Sequence, residues 1–449
     1  MTARDSQGNA ITGASAEGAA YYEQALKLLL CYIGDPLAET EAAIATSPRM
    51  PMAYALKAWL HLLGTEPGGL AIARAALQSA RTLPAHPREE GHLRAIASLV
   101  EGRWHEAADT LEDVSIQFPR DPLALLAGHQ LDFFTGDARM LRDRIARALP
   151  AWSDGMPGYH ALLGMHAFGL EETGEYALAE ASGRRAIDLE PRDGWAQHAV
   201  VHVMEMQGRH ADGIAWMRAD PDAWSRDSFF AVHNWWHLAL FHLDLGEPEE
   251  VLRLYDGKID AKASTIVLEM IDASAMLWRL HLRGIDVGRR WESLADRWEP
   301  IAGAANYAFN DAHAMMAFVG AHRPAAAGTV LEAQLAAMDA PGDNAAFTRE
   351  VGYPVALALR AFGEGDYAQC VSLLRPLHPI AHHFGGSHAQ RDLLDLTLLE
   401  AALRDGQHAL ASALIAQRSA ARPTSSFTRT LQARVAAGPE PAHLERNAA

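Results

Sequence analysis

The sequence predicts an all-α chain, a tetratricopeptide-like right-handed α-solenoid of antiparallel helix pairs. Three observations carry this expectation. Gly102, Gly136, Gly174, Gly208 and Gly246 each follow a helical pattern and precede a charged residue, and they stand 34, 38, 34 and 38 residues apart. A period near 34 is that of a helix–turn–helix repeat in which glycine makes the tight turn. Apolar residues return at three and four rather than at two, and Ala, Leu, Glu and Arg dominate, so strand signals are nearly absent.

Taken in order, residues 1–17 read as a flexible polar tail, residues 18–435 as one continuous solenoid, and residues 436–449 as a second tail rich in Ala and Pro. Helical hairpins begin with "YYEQALKLLL" to "AETEAAIATSP" and with "AYALKAWLHLLG". The clearest repeat runs from His160 to Asp193: Gly174-Glu175-Tyr176 makes the turn, Ala179 and Ala186 let the helices approach, and Pro191 ends the second helix. Between Ile259 and Ala340 the period is harder to follow, though "ASAMLWRLHLRG" and "AMMAFVGAH" each read as a first helix ending at glycine. Two further pairs, "PVALALRAFGEGDYAQCVSLLRPL" and "LLDLTLLEAALRDGQHALASALIAQRSA", complete the array.

Composition narrows the function. With 39 basic and 56 acidic residues the formal charge is −17, and no Lys/Arg-rich run interrupts it, which argues against nucleic acid and anionic membrane as partners. Cys31 and Cys370 are the only cysteines and form no CxxC pattern, so neither a disulfide framework nor a cysteine zinc site is indicated and a reducing cytoplasm fits. The N-terminus lacks an apolar signal core, and no stretch has the roughly 18 apolar residues of a membrane span.

In a hairpin of this type the first helix lines the concave side, so residues at fixed distances before the turn glycine face the hollow. Ten, six and three residues before Gly208 stand His198, His202 and Glu205; before Gly174 stand Gly164, Phe168 and Glu171; before Gly246 stand Trp236, Leu240 and Leu243, with His237 beside Trp236 and His233 thirteen back. Residues four apart on a helix lie roughly 5–6 Å apart at Cβ, so "HAVVH" and "HNWWH" can each aim two rings at one point. One buried histidine is ordinarily a packing residue. The combination argues for more, because each unpartnered buried polar group costs about 1–3 kcal/mol. Farther along, Asn310 lies ten residues before Gly320 with Asp311 and His313 beside it. The stretch "HHFGGSHAQRD" gathers His382, His383, His388, Arg391 and Asp392 around a Gly-Gly turn. It reads as a loop entering a helix with Ser387 as N-cap, or as a loop closing the hollow with Arg391 as a fixed cation for an anionic substrate group.

These residues suit two chemistries. His198, His202, His233, His237 and Glu205 could ligate a divalent transition metal; no other cofactor is indicated, and the zincin pattern HExxH is missing. Without metal, His202 or His237 could be a general base, oriented by Glu205 or Glu171, with Arg391 or Asn310 as electrophilic donor. There is no Gly-x-Ser-x-Gly elbow, and neither cysteine lies beside a histidine in sequence. The expectation is a concave pocket for a small molecule, its reaction a hydrolysis or elimination. His198, His202, His233, His237 and Glu205 form its reactive wall, and Trp236, Phe168, Glu171, Asn310, Asp311, His313, His383, His388 and Arg391 serve as binding residues. The alternative is a non-catalytic scaffold taking a peptide or partner helix in the groove.

At "YHALLGMHAFGLEETGEYALAE", "WAQHAVVHVMEMQGR", "HNWWHLALFHLDLGE" and "GGSHAQRD" the chain resembles the tetratricopeptide repeat protein 38 family of bacteria and animals. The likeness spans nearly the whole chain. It implies one continuous all-helical solenoid and places the histidine-rich stretches in the family's common pattern, and it brings no reaction, substrate or metal with it.

Overall fold

Asp35-Pro36, Asp121-Pro122 and Asp220-Pro221 each begin a helix. The carboxylate accepts a backbone N–H of the first turn and the proline supplies the helical φ at a position whose N–H has no partner to lose. A computed structural model describes residues 3–436, which are almost wholly helical and packed in successive hairpin pairs. Those that build the site are first helices: α1 (Pro122–Phe134), α2 (Tyr159–Glu172), α3 (Gly194–Met206), α4 (Ala231–Leu245), α5 (Val267–Leu282), α6 (Ala308–Gly320) and α7 (His388–Arg404). Among the described residues no helix is long and apolar enough to cross a membrane.

The glycines that set the period do occupy the turns, all with positive φ, and two of them have a second use. A Cβ on Gly136 would sit 1.8 Å from the carbonyl oxygen of His382, and one on Gly208 would sit 1.8 Å from Thr424 Oγ1. Turns of the N-terminal half therefore press on residues of the C-terminal half. More contacts of the same kind follow. Val267 N–H donates to Glu66 (2.7 Å), Asn310 Nδ2 to the Thr65 carbonyl (3.2 Å), Asp343 N–H to the Gly102 carbonyl (2.9 Å), and His388 N–H to Glu172 (2.9 Å). The Tyr307 hydroxyl lies 3.0 Å from the Phe134 carbonyl and 2.9 Å from that of Phe384. Across the interior, Trp278 Nε1 on α5 donates to Thr397 Oγ1 on α7 (3.0 Å), and the first helices of the two halves face each other.

A one-turn π-helical segment at Tyr255–Ile259 leads into the stretch where the period weakens, and a second at Thr348–Gly352 follows it.

The expected N-terminal tail is a correction. Ala3–Arg4 pairs antiparallel with Ala10–Ile11, and Ser15 caps a helix that already starts at Ala16. The hairpin is held by docking rather than by its own length: Ile11 is wholly buried, Arg88 donates to the Ala10 carbonyl (3.0 Å), and Thr12 N–H donates to Glu89 (2.8 Å). A single apolar residue among polar ones gave no periodic signal, which is why the segment read as tail. The expected C-terminal tail, apart from Ala436 at the end of the last helix, lies outside the described residues. Deleting residues 1–12 is expected to cost roughly 2–3 kcal/mol, the burial of Ile11 alone accounting for about 1.5–3 kcal/mol. A lowered urea midpoint checks this, and an unchanged midpoint would mean that the hairpin carries no stability.

Candidate functional site

The repeat step brings the two histidine pairs together. His198 and His233 are 35 residues apart, as are His202 and His237, so equivalent turns of α3 and α4 place four imidazoles side by side. Ring centroids lie 4.3 Å apart for His198–His202, 4.5 Å for His202–His237, 4.8 Å for His198–His233 and 4.9 Å for His233–His237. One ring nitrogen from each of the four falls within 4.8 Å of all the others.

Carboxylates stand behind the rings. His233 Nδ1 meets Asp272 of α5 at 2.9 Å, His237 Nδ1 meets Glu205 at 3.0 Å, and His202 Nδ1 lies 3.4 Å from Glu171 of α2 without the angle for a hydrogen bond. His233 Nε2 and His198 Nε2 are 3.1 Å apart. Aromatic rings wall the group: Phe168 stacks on His198 and meets His202 edge-on, while Trp236 stacks on His233 from the core side. Burial drives His198 and His237 well below the ordinary imidazole value, their neighbouring imidazoles adding to it, and takes His202 to about 4. These three are neutral near pH 7. Burial, then Glu172, pushes Glu171 well up. His198 Nδ1, both nitrogens of His202, His237 Nε2 and both oxygens of Glu171 are buried without a hydrogen-bond partner.

His198 and His233 open onto a cavity of about 100 Å³. Its wall is largely aromatic, from Phe133, Phe134, Trp195, Phe230, Tyr307 and Phe309, and its polar atoms come from Thr65, Gln130, Asn310 and Gln390 besides the carboxylates Glu269 and Asp272. Asn310 gives its Nδ2 to Thr65, which leaves Oδ1 without a partner. Phe229 and Leu268, both on the lining, are each 43% exposed and mark an apolar mouth.

The structure thus gathers His198, His202, His233, His237, Glu205, Glu171 and Phe168, sets Trp236 behind them, and adds Asn310 at the cavity. Other expected residues lie elsewhere. Asp311 accepts from Gln334 Nε2 (3.3 Å) and His313 Nδ1 is tied to the Phe309 carbonyl (2.8 Å), both within the packing of α6. His383 is exposed and pairs with Glu350 (2.7 Å). His388 and Arg391 border a different, more polar cavity of about 430 Å³, where Arg391 lies 3.3 Å from Glu172 Oε2. Arg391 is therefore no loose cation facing the imidazoles, because a buried carboxylate already holds it. Glu205 likewise backs His237 rather than standing among the four converging nitrogens.

Asp272 is the main residue that the repeat ruler missed. It lies twelve residues before Gly284, outside the ten, six and three that were counted, and its signal is an acid, with Glu269 one turn before it, in the otherwise apolar run "VLEMIDASAMLW". The fold also brings Cys31 Sγ to 4.0 Å from His160 Nε2, with His160 Nδ1 2.7 Å from Asp193. That order of groups resembles a nucleophile with its base. Yet Cys31 is buried, and burial together with Asp193 pushes its thiol far above the ordinary range, so it is not a thiolate at neutral pH.

No protein-family model matches the chain.

Asp311 generates a pH prediction. Burial raises its carboxyl from 3.8 to about 7 in the fold, so the native state keeps a proton that the unfolded chain has released. Stability from this group is complete below pH 4 and is lost up to about pH 7. Asp311→Asn, which can still accept from Gln334, should gain on wild type by about 1.4 kcal/mol per pH unit between pH 5 and 7 and level off above. Urea unfolding at pH 5, 6, 7 and 8 measures this, and a constant difference would show that Asp311 is not protonated in the fold.

Proposed function

We propose that the chain is a tetratricopeptide-like right-handed solenoid of the tetratricopeptide repeat protein 38 type, whose interior cavity binds a small uncharged molecule. That molecule reacts, by hydrolysis or elimination, at the wall formed by His198 and His233. The cavity is the observation that carries the reading: about 100 Å³ in which neutral donors and acceptors, aromatic rings and imidazoles meet. Among the described residues no lysine or arginine lines it, and Glu269 and Asp272 would repel an anion.

Size sets the class. An apolar cavity of about 150 Å³ encloses benzene; this one, at about 100 Å³, is smaller and open, so it suits at most one ring, part of which lies in the mouth at Phe229 and Leu268. The unpartnered Oδ1 of Asn310 calls for an O–H or N–H on the ligand. A peptide or partner helix needs far more room, so the scaffold reading fares worse. Asp272 holds His233 in one orientation, and the neutral imidazoles beside it can accept a proton or ligate a Lewis acid. The turn glycines and successive helix pairs support the repeat assignment, and two unpaired cysteines support a reducing, cytoplasmic setting.

Phenol tests the reading. It should bind at about 0.1–1 mM, as expected for a ligand of so few atoms, while benzoate does not bind measurably by ligand-observed NMR. Asn310→Leu should weaken phenol about tenfold, the value of one hydrogen bond, and leave toluene within about twofold. Equal binding of benzoate, or no binding of any of the three, would sink the proposal.

A further inference from the structure

The donor count around the four histidines does not close. A neutral imidazole has one N–H and one lone pair. Where Nδ1 gives its proton to a carboxylate, as His233 does to Asp272 and His237 to Glu205, the lone pair is left on Nε2. His202 Nδ1 lies near Glu171 but makes no hydrogen bond to it. No protein donor reaches Nε2 of His202 or His237, and both atoms are buried. Apart from the one proton between His198 Nε2 and His233 Nε2, which a metal ion would displace, the cluster has lone pairs to offer at its centre.

We infer that His198, His202, His233 and His237 form a binding site for one divalent first-row transition ion. The distances suit it. Two ligand atoms held at about 2.0–2.1 Å from one ion lie about 3.3 Å apart in a tetrahedron and at most about 4.2 Å apart across it in other geometries. The Nε2 atoms of His198 and His233 are already 3.1 Å apart, and the full spread of 4.8 Å closes to a tetrahedron with movements of about 0.7 Å by each ring. All four ligands are nitrogen, which selects zinc, iron, nickel or copper over magnesium and calcium. Carboxylates behind the rings complete the pattern, since a ligating imidazole ordinarily passes its other N–H to a carboxylate that fixes its tautomer. Asp272 and Glu205 also bring the negative charge that a buried dication requires. His198 and His233 border the cavity, so an ion held here is reached from it. The inference goes beyond the ligand reading and does not depend on it.

Untagged protein purified without chelator or metal resin should carry close to one equivalent of a single first-row metal. After removal of that metal, Co²⁺ added alone should bind with a visible absorption band and hyperfine-shifted imidazole N–H resonances that vanish in D₂O. Glu205→Gln, which spares all four ligands, should weaken Co²⁺ about 10–100-fold, and His202→Ala or His237→Ala should weaken it more. His383→Ala, on the exposed loop, should leave it unchanged. The wild-type resonances decide the matter even where a variant does not fold. Less than about a tenth of an equivalent of metal, with no Co²⁺ uptake by the stripped protein, overturns the site; in that event phenol binding still stands or falls separately. Co²⁺ uptake that survives the loss of His202 and of His237 places the ion elsewhere and overturns it equally.

Discussion

The interior of this protein depends on one buried carboxylate. Asp392, in the second turn of α7, lies within 3.4 Å of Arg279 on α5, pairs with Arg418, and stands 3.8 Å from Arg422, all of them buried or nearly so. Arg422 in turn reaches Glu205 of α3 at 3.6 Å. The arginines hold Asp392 far below the usual carboxylate range despite its burial. Such a knot adds little net stability compared with apolar packing, yet removing one member strands the others and costs about 3–5 kcal/mol. Its effect is positional: it ties the C-terminal helices to α3 and α5, and so covers the face on which the imidazoles lie.

The interior holds two cavities of different chemistry. On one side is the arginine-rich cavity with Arg391, Arg418 and Arg422; on the other is the aromatic cavity, whose charged lining is confined to Glu269 and Asp272. The histidine cluster lies between them, with Glu171 and Glu205 on its arginine side and Asp272 on its aromatic side. Arg422 and Arg279 still act on His202 and His237, and the carboxylates beside the rings offset part of that charge. Were the guanidinium of Arg422 to face His202 directly, it would disfavour any cation there; instead Glu205 receives it.

Much of the fold could be read from the chain because its signals are local. A turn glycine, an Asp-Pro start and a threefold–fourfold apolar rhythm each need only one hairpin to act, and the structure follows them from Pro51 to Met206. The His198/His202 and His233/His237 pairs were legible for the same reason, since residues four apart lie about one helical turn from each other and the two pairs fall on successive first helices. What escaped reading lies in contacts between distant segments. Thr65 and Asn310 are 245 residues apart, and Glu172 and Arg391 are 219 apart. A repeat pattern does not say which repeats face each other, so it could not show that Arg391 is already paired, nor that Asp311 turns away from the residue beside it. The docked hairpin at residues 3–11 failed to register because a lone Ile11 buried by long-range packing has no periodicity to betray it.

The energetic oddity of the cluster follows from that same repetition. Successive helix pairs offer similar interior positions, and leucine at each would cost nothing in desolvation; Leu240 and Leu243 occupy two of the counted positions on α4. Four imidazoles instead occupy adjacent turns of two neighbouring helices, with polar atoms unpartnered at about 1–3 kcal/mol each. Packing gives no return for this, because the rings are no better matched to Phe168 or Trp236 than an apolar side chain of similar size would be. Carboxylates recruited from three different helices to stand behind these rings raise the cost further and also orient them. Both costs fall on one buried cluster, and the lone pairs within it define the kind of partner that would satisfy them.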